Sequence, residues 1–210
     1  MYQRFIHQRE LRDYLLKRDW DVFGTLKFQT KRLISGHRAH QELRYFWNRL
    51  DRVVYGKAAE AGCRVQRWCF AHVGSHNDNY HLHFVAKAPV DPDLFAVLAN
   101  TLWTRQCSSS ASLRENWITP VLFPAQVAWY VTKETWKIGA DTFDPSLSAD
   151  TRVTYQMNTE RALAQELRIA RAITANEWQA AQNALELHKA GTLHRLALRD
   201  RKPSGKATGQ

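Results

Sequence analysis

The sequence predicts an α+β fold: an antiparallel sheet of four to five strands with helices packed on one face, in the ferredoxin-like class, plus C-terminal helices. Two kinds of observation predict it. Long stretches repeat apolar residues at spacings of three and four, the period of a helix with one buried face. Short β-rich runs bounded by charge, Gly or Pro lie between them. Their order along the chain is β-α-β-β-α-β-α, behind one extra N-terminal helix.

Residues 3–18 read as that helix: Phe5, Leu11, Leu15 and Leu16 fall on one side and Arg and Lys cover the rest. The run Asp21 to Phe28 reads as a strand, with Thr25 and Lys27 alternating against Leu26 and Phe28. A long helix is expected from Gly36 to about residue 60, because Leu43, Phe46, Trp47, Leu50, Val53 and Val54 recur at helical spacing. Gly62 closes it. Residues 64–74 and 80–87 read as a hairpin around the turn-forming stretch Ser75 to Asn79. Asp91 or Asp93 caps a helix running to about Gln106, with Leu94, Phe95, Leu98 and Leu102 inward. Residues 113–122 are the fourth strand, with Pro120 inside it. Pro124 suits the first turn of a helix over 124–138.

Residues 1–138 therefore form the main domain, 139–157 a linker with little periodicity, 158–198 a helical extension and 199–210 a polar, disordered tail. Within the extension, Thr174 and Glu177 have capping-box spacing, Trp178, Ala181 and Leu185 form one stripe, and Gly191 is expected to stop the helix. No internal repeat is present.

Thirty Lys and Arg against twenty Asp and Glu leave a formal charge of +10. Such a surplus favours a polyanionic partner, and eight Trp and seven Tyr suit stacking against unpaired bases. No apolar run approaches the ~18 residues of a membrane span. The charged N-terminus lacks the apolar core of a signal peptide. Cys63, Cys69 and Cys107 have no C-x-x-C spacing and read as reduced, packed thiols of a cytoplasmic protein.

The chemistry centres on Tyr80-His81-Leu82-His83-Phe84. Strand residues two apart share a face, so His81 and His83 present two imidazoles together while Leu82 points inward. This is what a divalent metal needs from two ligands on one strand. A third ligand should come from the neighbouring strand. A hairpin turn centred near His76 and Asn77 puts His72 opposite His81; His76 and Asp78 in the turn are the alternatives. In the helix 124–138, Tyr130, Lys133 and Lys137 lie within about 60° of one another. Val127, Ala128 and Val131 form the adjoining apolar stripe. Cations beside a phenol favour its ionised, nucleophilic form. Lys27, Lys31 and Arg32 after the first strand, Arg64, Arg67, Trp68 and Lys87 on or beside the hairpin, and Lys137 are candidates for contacting DNA.

Phe23-Gly-Thr-Leu-Lys-Phe28, then His81-Leu-His83, then Tyr130-Val-Thr-Lys133, in that order, resemble the three motifs of the HUH endonuclease superfamily. The likeness is greatest to the single-tyrosine Rep proteins that initiate rolling-circle replication, and it covers about residues 20–138. The resemblance implies an RRM-like HUH fold and a Mg²⁺ or Mn²⁺ ion on His81, His83 and one further ligand, carried to His72. It implies Tyr130 as the nucleophile and Lys133 as the lysine of the third motif. The Glu that many such proteins use as third ligand has no counterpart at the matching place.

The implied activity is site-specific nicking and rejoining of single-stranded DNA, at a hairpin origin for instance, through a 5′-phosphotyrosine, with a separate helicase as partner. A single-tyrosine HUH transposase and a non-catalytic HUH module that binds DNA or RNA are the alternatives. A cupin-type metal site lacks its Glu in residues 84–90, and the long helical periods oppose a β-barrel.

Overall fold

A computed structural model of the chain describes residues 2–28, 34–73, 80–106, 116–150 and 155–200. Helix α1 (Tyr2–Leu16) precedes β1 (Val22–Lys27), α2 (Gly36–Tyr55), β2 (Arg67–His72), β3 (His81–Ala86), α3 (Pro92–Gln106) and β4 (Trp117–Pro120). Then follow α4 (Pro124–Val131), α5 (Thr135–Ile138), α6 (Thr159–Ala172) and α7 (Ala175–Asp200). The strands form one antiparallel sheet in the order β2-β3-β1-β4, so the α+β class and the element order are as expected.

Local chemistry sets the helix ends. Ser35 caps α2 through Oγ, which accepts from Arg38 N. Of the two candidate caps for α3, Asp91 is the one used: Oδ1 accepts from the amides of Asp93 and Leu94. Asn158 caps α6, and Thr174 with Glu177 forms the expected box at α7.

Strand alternation sorts the sheet into two faces. Val22, Leu26, Leu82, Phe84 and Ile118 pack against Leu43, Phe46, Trp47 and Leu50 of α2 and Phe95, Leu98 and Leu102 of α3. Gly24 sits in mid-strand because a Cβ there would overlap the ring of Phe84. The expectation of helices on one face only is corrected: α1 and α4 cover part of the second face. Leu15, Trp20, Ala128 and Val131 pack there on Phe70 and Val85.

Further expectations change. The helix expected over 124–138 breaks after Val131. The carbonyls of Val131 and Thr132 instead meet side chains, His72 Nε2 at 2.9 Å and Gln8 Nε2 at 2.8 Å. Polar side chains thus satisfy acceptors that a helix end leaves open. The stretch expected to be a linker lies along the edge of β2: Phe143 bridges Phe70 and Ala149 bridges Arg67. The C-terminal helices share the main core, since Ile169, Ile173, Ala181 and Leu185 belong to the α2–α3 cluster. Gly191 does not stop α7; a mid-helix Gly costs only about 1 kcal/mol against Ala. The tail from residue 201 lies outside the described residues. Cys63 and Cys69 are buried and unpaired, and Cys107 lies outside the described residues. No helix among the described residues is long and apolar enough to cross a membrane.

Candidate active site

Pairing of β2 with β3 sets His72 opposite His81 and Phe70 opposite His83. Pairing of β1 with β3 sets Thr25 opposite His83 and Lys27 opposite His81. Paired residues share a face, so three histidines gather on the second face of the sheet. One ligand atom from each of His72, His81 and His83 lies within 4.8 Å of the others. The cluster is buried: His72 and His83 are 0% exposed and His81 is 8% exposed.

The ring nitrogens are arranged for a ligand. His83 Nδ1 lies 2.8 Å from Thr25 Oγ1. With the ring donating to this hydroxyl, Nε2 keeps its lone pair. His72 Nε2 donates to the carbonyl of Val131, which leaves Nδ1 as the acceptor. Those two nitrogens, His83 Nε2 and His72 Nδ1, are buried with no hydrogen-bond partner. Burial, first of all, pushes His72 down to about 4, against the pull of the Val131 carbonyl and Glu134. Burial also holds His83 well below the usual imidazole range, with His72, His81 and Lys133 adding to it. Both rings are therefore neutral at pH 7, the form that binds metal. This donor set fits a divalent ion.

Tyr130 stands over the cluster. Its ring centroid is 4.7 Å from that of His83, at a steep angle. The ring of Phe23 meets both, at 5.9 Å in each case. Lys133 places Nζ 3.9 Å from the centre of the Tyr130 ring. Tyr130 is 37% exposed, so its surface reaches solvent.

The other candidates divide. Lys27 ends β1 opposite His81, beside the cluster. Lys137 lies on α5, beyond the break, so the single-helix face expected to join it to Tyr130 does not exist. Arg67 is corrected: it is a core residue, 5% exposed. Its guanidinium pairs with buried Asp51 at 3.1 Å, donates to the carbonyls of Val65 and Leu147, and lies over Trp47. Arg64 also pairs with Asp51, at 3.5 Å. One face of Trp68, on β2, is covered by Tyr14 of α1, stacked at 4.9 Å, so Trp68 packs against α1 and that face is no free stacking platform. Lys87 pairs with Asp21 at 3.6 Å, at the end of β3 away from His81. Lys31, Arg32, His76 and Asp78 lie outside the described residues.

Thr25, Phe23 and Glu134 escaped the sequence reading as site residues. Glu134 follows Lys133 directly; its Oε2 accepts from Val73 N at 3.0 Å and its Oε1 is 3.9 Å from His72 Nδ1. The parity of Thr25 and Lys27 was visible in sequence, but which strand lay beside them was not. No family model, curated protein or solved structure matches the chain.

Proposed function

We propose that the chain is a metal-dependent single-strand DNA endonuclease and strand transferase of the replication-initiator type, with Tyr130 as nucleophile. One observation carries this reading: a solvent-reaching phenol lies against a buried cluster of three imidazoles, with an ammonium on its ring. His72, His81 and His83 would hold the ion. When bound, it supplies Lewis-acid polarisation of a non-bridging phosphate oxygen.

The residues of the chain do the rest. Tyr130 gives up its phenolic proton to water and its oxygen attacks phosphorus. A tyrosyl O–P bond forms, the P–O3′ bond breaks, and the released 3′-oxygen takes a proton from water. The products are a 5′-phosphotyrosine and a free 3′-hydroxyl, which can reverse the step and rejoin strands. Lys133 counters the charge that develops on the phosphate. Phosphate charge supplies much of the affinity for the strand, in keeping with the surplus of +10. Imidazole-only donors suit Mn²⁺ better than Mg²⁺, which prefers carboxylate and water oxygens.

Incubation with an end-labelled randomised single-stranded library and Mn²⁺, followed by a denaturing gel, tests the proposal. A covalent protein–DNA band that needs Tyr130 is expected. A shift seen only on a native gel, with no covalent band, would leave a DNA-binding module instead.

A further inference from the structure

Beside the histidine cluster, a cavity of about 450 Å³ opens between β4, the start of α4 and the last part of α7. Its volume lies in the range of about 300–1,000 Å³ typical of small-ligand sites. It shares Phe23, Thr25 and Tyr130 with the surroundings of His83. Trp117 and Phe123 add aromatic walls, and His188 and Arg195 of α7 complete the lining.

Three features define what would fit. The walls are aromatic and rigid: Trp117 is stacked on His188 at 3.8 Å. Thr119 lines the cavity at 8% exposure, and its hydroxyl is buried with no partner. A buried hydroxyl in this state costs free energy that a polar ligand edge would recover. Arg195 is exposed and brings a cation to the lining. Flat ring surfaces, one unsatisfied hydroxyl and a cation match an aromatic heterocycle linked to an anion.

We propose that this cavity receives one unstacked nucleobase next to the scissile phosphate, against Phe123, with the Trp117–His188 stack as a side wall, on the Thr119 hydroxyl, and with Arg195 toward the adjoining phosphate. The proposal rests on the single-stranded DNA reading above. It makes α7 part of the substrate site, as the wall that closes the cavity opposite α4. The aromatic rings supply affinity for any base, since every base has a flat π-face. Thr119 supplies preference among bases, since a single hydroxyl meets different edges on each.

The test measures fluorescence anisotropy of the whole 210-residue chain, in chelator to prevent cleavage. The probes are labelled oligothymidylate, oligocytidylate, oligoadenylate and an abasic strand of equal length. The wild type should bind oligothymidylate about 10-fold or more tightly than the abasic strand. Phe123→Ala should reduce that ratio toward one without changing affinity for the abasic strand, which also reports that it is folded. Thr119→Val, nearly isosteric, should alter the order among the three bases and leave abasic binding intact.

Equal binding of base-bearing and abasic strands by the wild type overturns the proposal. So do variants that keep the wild-type ratio and order. If Phe123→Ala loses abasic binding as well, Thr119→Val decides. A ratio that depends on Phe123 with no covalent band on the denaturing gel supports the base pocket and refutes the nuclease chemistry. A covalent band with a ratio indifferent to both variants does the reverse.

Discussion

Thr25 Oγ1 lies 2.8 Å from Nδ1 of His83, across the β1–β3 pair. The contact fixes the orientation of a fully buried imidazole, and with Nδ1 donating to the hydroxyl, His83 Nε2 keeps its lone pair and is left without a protein partner.

Thr25→Val removes that contact while keeping a β-branched strand residue. Metal affinity should fall by about 10–100-fold, the usual cost of losing an outer-shell partner. Titration calorimetry with Mn²⁺ checks it; wild-type affinity in the variant would show that the hydroxyl does not orient the ring.

Metal should stabilise the fold through the cluster. Mn²⁺ at about 100 times its dissociation constant adds roughly 2.7 kcal/mol. Thermal melts should rise with Mn²⁺, rise less with equal Mg²⁺, and lose the response in His72→Ala and His83→Ala. An equal response to both ions would contradict the preference argued from imidazole donors.

Acid should destabilise the metal-free protein. Burial pushes His72, and burial with Arg195 pushes His188, from the ordinary 6.5 to about 4 in the fold. Between those values the unfolded chain binds protons that the folded chain refuses, so acid favours unfolding. This part of the stability is intact above about 6.5 and declines as pH falls toward 4. Melting temperature measured against pH in chelator should fall through that window, less steeply in His188→Gln. Identical slopes would refute the part assigned to His188.

Tyr130→Phe should abolish the covalent DNA adduct and leave oligonucleotide binding unchanged, since the phenyl ring still packs on Phe23 and His83. A denaturing gel paired with anisotropy reads both. An adduct of normal yield from this variant would transfer the nucleophile elsewhere.

Arg67→Met should cost stability without touching DNA affinity. Removing one partner of a buried ion pair typically costs about 3–5 kcal/mol, because buried Asp51 loses its closest cation and keeps only Arg64, at 3.5 Å. Urea unfolding measures the loss. A drop in DNA affinity of the folded variant would return Arg67 to the binding surface.

How much of the site was legible follows from its geometry. His81 and His83 declare themselves because a strand repeats every two residues, and no tertiary contact is needed to put them on one face. The pairing of His72 with His81 was legible too, through the centre of a hairpin turn. Arg67 was not: it sits on a strand among basic residues, and only the buried carboxylate of Asp51, sixteen positions earlier on α2, draws it into the core. The break after Val131 was equally hidden. Neither Gly nor Pro marks it between 132 and 138, and the carbonyls that end the helix are claimed by His72 and Gln8 from distant elements.

By itself, then, the sequence determined the order of strands and helices and the two imidazoles of one strand, because both depend on spacing along a single segment. The tertiary structure decided which rings and carbonyls meet, where Tyr130 stands, and that α7 walls a cavity beside it. Those depend on register and on which buried polar groups find partners, quantities set between segments and invisible in any one of them.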